Sequence, residues 1–222
     1  MSGFRLGQPG DDYACGETRQ KCRLLQAVVL AVAALISMKC VSLHAQTSGA
    51  SALVIYDVND SRTQALLSAL EAEGIAVALS DVPETLYDGT NPSPNGFSAV
   101  IHLNGSTFSQ DMPTAGQVAL VDFVSNGGGF IHAEWNGFEL DVGGRLQSMT
   151  DLTLISRVSG ADSEVITLTA AAGQESHVIL ANLPDPATFT SPHNVGPART
   201  FSSNPATVIL EDQAGNAAVV VR

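Results

Sequence analysis

Beyond residue 45 the chain contains no cysteine: Cys15, Cys22 and Cys40, its only three, all lie in the first 45 residues. That absence excludes a disulfide, a thiolate metal site and a cysteine nucleophile from everything that follows. Positive charge is scarce as well. The chain carries 22 Asp and Glu against 10 Lys and Arg, a net charge of −12, and five of those ten cations precede Gln46. Such an acidic exterior repels phosphate backbones, so no nucleic-acid partner is expected, and it offers nothing to an anionic membrane surface. A long apolar run is missing too. The stretch LLQAVVLAVAALISM (24–38) has 15 residues, where a bilayer span needs about 20. No internal repeat, low-complexity segment or His-Glu-x-x-His spacing is present.

What does stand at the N-terminus is an ordered set of signals. Arg19, Lys21 and Arg23 precede the apolar stretch, Lys39 ends it, and SLHAQTSGA supplies small residues for cleavage. This basic, apolar, small-residue order reads as a secretory signal, cleaved after Ala45 or Ala50. An uncleaved signal anchor is the competing reading. Ser-Met-Lys before Cys40 lacks the small residues of a lipoprotein signal. The expectation is therefore a leader over 1–45, export to the periplasm or the exterior, and no stable membrane span after cleavage. Residues 46–222 are long enough for one domain with a sizeable core.

Within that domain, short apolar runs alternate with helix-periodic stretches. SALVIYDVND (51–60) reads as a buried parallel strand running into a turn. SRTQALLSALEAEG (61–74) places Ala65, Leu66, Ala69 and Leu70 on one helical face, with Ser61 as a cap and Gly74 as a terminator. IAVALSD (75–81) and FSAVIHLNG (97–105) read as the second and third strands. TAGQVALVDFVSNGG (114–128) is helix-periodic, and GFIHAEW (129–135) is the fourth strand. This alternation predicts an α/β fold: a flavodoxin-like parallel sheet of order 2-1-3-4, with helices on both faces. After Met149 the pattern changes to a β-rich C-terminal part, with strands in DLTLISRVS, SEVITLT, ATVILED and AAVVVR. The chain stops inside that last strand, which suits a fragment and predicts that the final strand lacks a paired neighbour.

The strand SAVIHLNG, the segment FVSNGGGFIHAEW and the later ESHVILANLPDPATF resemble the ThuA-like (trehalose-utilisation) branch of the class I glutamine amidotransferase-like superfamily. The resemblance spans roughly residues 52–222. It departs at His177, which Val178 follows where the family has Pro, at Asn182, where Gly is common, and in the missing Gly-Arg-Val segment of the final strands. It implies a tight turn after the fourth strand, where amidotransferases display a nucleophilic cysteine. Aligned through GGGFIH, that position falls at or near Glu134. A carboxylate cannot replace a thiolate in glutamine hydrolysis, so amidotransferase activity is not expected. The resemblance also implies a loose association with sugars.

Gly127, Gly128 and Gly129 follow a helix and precede a strand, so they terminate the helix; a phosphate loop has the opposite order. His132 and Glu134 alternate along the expected strand and so share a face, near the mouth where open α/β sheets take ligands. Together they are candidates for a His–carboxylate acid/base pair or a metal site, against a satisfied polar pair at a strand end. Trp135 and Asn136 on the same turn, with His102 and Asn104 ending the third strand, are candidate ligand-binding residues of the same rim. Asp57 and Asp60 follow the first strand. They are candidate ligands for a divalent cation, the one cofactor the pattern leaves open, although Asp also favours turns and helix starts. The preferred reading is an exported, inert ThuA-like module that binds carbohydrate or another extracellular small molecule, or serves as a structural part. The alternatives are a hydrolase or lyase on sugar-like substrates through His132 and Glu134, and a divalent-cation-binding domain.

Overall fold

The computed structural model describes residues 49–157, 165–190 and 196–222. The leader expected over 1–45 lies outside them. Four strands, β1 (Ser51–Ile55), β2 (Ala76–Leu79), β3 (Ala99–His102) and β4 (Gly129–His132), form a parallel sheet of order β2-β1-β3-β4. Their alternation sorts the core onto two faces. Leu53, Ile55 and Val100 pack with Leu120 and Phe123 of helix α2 (Thr114–Ser125). Ala52, Val54, Ala99 and Ile101 pack with Leu70 of helix α1 (Ser61–Ala72) on the other face. The expected helices on both faces are therefore present. Each fully buried Leu, Ile or Phe here stabilises the fold by about 1.5–3 kcal/mol.

The ends of these elements follow from local chemistry. Asp60, rather than Ser61, caps α1, accepting from the backbone N–H groups of Arg62 at 2.9 Å and Thr63 at 3.2 Å. Its carboxylate acts one residue earlier than expected and satisfies two orphan donors of the first turn. Helix α2 stops at Ser125. Gly127 turns the chain at φ +94°, and the Gly128 N–H closes the end on Phe123 O at 3.0 Å. A Cβ at Gly128 would lie 2.3 Å from the Phe123 ring, so the turn needs glycine there for space.

The fourth strand is shorter than the sequence suggests. It ends at His132, and a third helix, α3 (Glu134–Asp141), begins two residues later. Beyond α3 the strands β5 (Ile155–Arg157), β6 (Val165–Ala170), β7 (Ala187–Thr190), β8 (Ala198–Thr200), β9 (Thr207–Glu211) and β10 (Ala217–Val221) form a sheet of order β5-β8-β10-β9-β6-β7. Its strand pairs are antiparallel. The β-rich half is as expected, with β7 and β8 added. The expectation of an unpaired last strand fails. β10 lies inside the sheet, with Ala217 opposite both Ala198 of β8 and Glu211 of β9. No helix among the described residues is long and apolar enough to cross a membrane.

Candidate functional site

The parallel strands deliver their C-terminal ends to one rim, and the side chains gathered there form a buried polar cluster. His102, the last residue of β3, stands in register between Ile55 and His132 and is fully buried. Its Nε2 lies 2.6 Å from Glu84 Oε2. Glu84 opens a short 3₁₀ turn after β2, held to the end of β1 by its N–H to Tyr56 O at 2.7 Å, and it too is buried. Asn136, in the first turn of α3, accepts the Ala133 N–H on Oδ1 at 3.0 Å and turns Nδ2 toward His102 Nδ1 at 3.1 Å. An amide nitrogen only donates, so Nδ1 accepts and the ring proton sits on Nε2, where it donates to Glu84.

Two further donors reach the same carboxylate. Thr107 Oγ1 donates to Glu84 Oε1, and Asn104 Nδ2 donates to Glu84 Oε2 at 3.3 Å. Asn104 Nδ2 also donates to Oε2 of Glu139, a buried residue of α3. Burial, then the neighbouring Glu84 charge, pushes the Glu139 carboxyl up to about 9. Asn104 Oδ1 and Glu139 Oε1 are buried without a hydrogen-bond partner.

His132 and Glu134 do not meet as a strand pair, because Glu134 belongs to a helix. The two ring nitrogens of His132 are taken by backbone: Nδ1 donates to Ala133 O at 2.9 Å and Nε2 accepts from Leu154 N at 3.3 Å. Burial lowers this imidazole to about 4. Glu134 Oε1 lies 3.6 Å from Nε of Arg157, itself buried on β5, a distance of charge attraction rather than a hydrogen bond. Burial still raises the Glu134 carboxyl, against the opposing pull of Arg157 and of the Gly196 N–H. The Arg157 guanidinium also stacks 4.2 Å over the Trp135 ring.

Trp135 opens toward the surface in an aromatic group. Its ring centroid is 5.2 Å from those of Phe108 and Phe138, and Phe108 stays 38% exposed. Asp57 and Asp60 have backbone duties. Asp57 accepts from Val58 N at 2.6 Å and Ser106 N at 2.8 Å, and Asp60 caps α1 and pairs with Arg62 at 2.6 Å. Among the described residues no three His, Cys, Asp or Glu side chains converge in a way that would hold a metal ion. A cavity of ≈ 170 Å³ lined by Ser98, Gly129, Leu152, Leu154 and Arg222 opens toward the opposite, N-terminal ends of β3 and β4, and no residue of the Glu84–His102–Asn104–Glu139 cluster lines it.

Of the sequence candidates, His102, Asn104 and Asn136 come together, and Trp135 adjoins them. Glu84, Thr107, Glu139 and Arg157 complete the assembly unforeseen. A partial signal existed for one of them: Glu139 is flanked by Phe138 and Leu140, although Glu134 and Asp141 share its helix. Glu84, in a Pro- and Gly-rich loop, carries no such mark.

No protein-family model and no curated protein matches the chain. Among solved structures it is similar to a ThuA-like protein from Bacteroides uniformis, with a TM-score of 0.51 and 16% identity over 76% of this chain and 71% of that one. Identity at that level speaks to fold alone. The chain therefore has the flavodoxin-like fold of a ThuA-like protein, continued into an antiparallel C-terminal sheet.

Proposed function

We propose that the chain is an exported, non-catalytic binding module of ThuA-like fold that takes a sugar or another small extracellular molecule at its aromatic rim. The observation that carries this reading is the charge pairing of Glu134, whose Oε1 is buried without a hydrogen-bond partner. At the turn where the fold would display a nucleophile, its carboxylate faces the buried Arg157, and the described residues contain no cysteine. A hydrolase or lyase using His132 and Glu134 draws no support from their positions, since backbone groups occupy both imidazole nitrogens. Binding has a more suitable surface. Phe108, Trp135 and Phe138 offer ring faces at the mouth of the sheet, the mixture of apolar area and convergent polar groups that ligand sites use. His102, Asn104 and Asn136 are themselves buried, so their part is to hold that rim in place.

Thermal unfolding with a panel of neutral mono- and disaccharides, and with Ca²⁺ or Mg²⁺, tests this. A ligand that binds only the folded chain at a hundred times its Kd adds roughly 2.7 kcal/mol. A rise in Tm with a sugar is expected, and Trp135→Ala should abolish it. No response to any sugar, or a response that Trp135→Ala leaves intact, contradicts the reading. A response to the cation alone favours a divalent-cation module instead, a role that the backbone bonds of Asp57 and Asp60 oppose.

A further inference from the structure

Two buried polar atoms of the cluster have no partner, and they sit on the two ends of one hydrogen bond. Asn104 Nδ2 donates to Glu139 Oε2, while Asn104 Oδ1 and Glu139 Oε1 are both unpaired. With an ionised Glu139 both orphans are acceptors, so neither can satisfy the other. One proton on Oε1 resolves both at once, because a protonated carboxyl and a primary amide present complementary donor and acceptor edges. We propose that α3 is latched to the parallel sheet by a proton: Glu139 stands as a neutral carboxylic acid whose Oε1–H donates to Asn104 Oδ1, closing a ring with the opposite bond from Asn104 Nδ2.

The surroundings favour the neutral form. Glu139 is fully buried on α3. From the turn after β2, Glu84 brings a carboxylate that shares the same Asn104 amide. From β3, His102 is already donating to Glu84. From the loop before α2, Asp111 adds a second negative neighbour, its Oδ1 tied to Gln117 Nε2 and Leu146 N, each at 3.0 Å. Arg145, following α3, is the opposing cation, while Arg157 of β5 is turned to Glu134 and Trp135. Burial and the acidic neighbours outweigh Arg145, and the carboxyl stays protonated up to about 9. Its pKa is raised on folding, so the stabilisation is complete below the ordinary value of 4.5 and is lost as pH rises through about 9. Ionisation breaks the ring, sets two carboxylates against one amide, and loosens the helix that bears Trp135 and Asn136. The latch is independent of whatever ligand the rim takes.

The test compares Tm against pH for the chain and for Glu139→Gln. A glutamine amide keeps both bonds of the ring without a titratable proton. Glu139→Gln should gain on the parent chain steadily as pH rises from about 5 to about 9 and gain no more above that. A difference that does not change with pH overturns the proposal. Infrared difference spectroscopy reads the same proton in the unaltered chain. A protonated carboxyl C=O band present at neutral pH and lost above about pH 9 is expected, and its absence at neutral pH overturns the latch.

Discussion

Asn136 has the most consequential side chain for its size. Its oxygen satisfies the Ala133 N–H and its nitrogen sets the His102 tautomer, so one amide both starts helix α3 and orients the ring that donates to Glu84. Asn136→Ala leaves the buried His102 Nδ1 and the half-buried Ala133 N–H unpaired. A loss of about 1–3 kcal/mol for each group is expected in denaturant unfolding, and an unchanged midpoint would show that the amide is dispensable. At this scale the sequence was partly readable. His102, Asn104 and Asn136 were recognisable as polar residues at strand ends and turns, where ligand sites lie. The partners that complete them come from 18 residues upstream of His102 and 35 residues downstream of Asn104, and no local pattern reports contacts at such separations.

Among the elements, the boundary between β4 and α3 is the one the sequence conceals. GFIHAEW alternates well enough to read as a strand through Trp135, and the helix that begins at Glu134 carries none of the usual start residues: its N-cap is Ala133. Ala133 has no side-chain oxygen to accept from the first turn, and Asn136 reaches back only to the Ala133 N–H. Strands β7 (ATFT) and β8 (ART) were hidden because neither is an apolar run, whereas the apolar runs of β1, β3, β9 and β10 declared themselves. Helix α3 joins the two sheets through Gly137, where a Cβ would come within 2.0 Å of Ile155 O on β5. That neighbour is backbone and has little freedom to give way. Gly137→Ala is therefore expected to cost about 1–3 kcal/mol or more and to disturb the Glu134–Arg157 contact. A melting temperature equal to that of the parent chain would contradict so close an approach.

Over the whole molecule, the order of the parallel sheet and the division between an α/β half and a β-rich half were legible, because hydrophobic period and strand handedness constrain them strongly. The pairing of the C-terminal strands was not. Antiparallel order depends on which edges meet after long connections, and β10, which reads as a loose end, lies between β8 and β9. Where β4 gives way to α3, the first residue of the helix is a carboxylate directed at a buried arginine. The most direct test is product release from glutamine and from a panel of glycosides by the purified chain and by Glu134→Gln. Neither protein is expected to release glutamate, ammonia or free sugar above a heat-denatured control. Turnover of any of these substrates by the parent chain, abolished in Glu134→Gln, would contradict an inert turn and make Glu134 a catalytic residue.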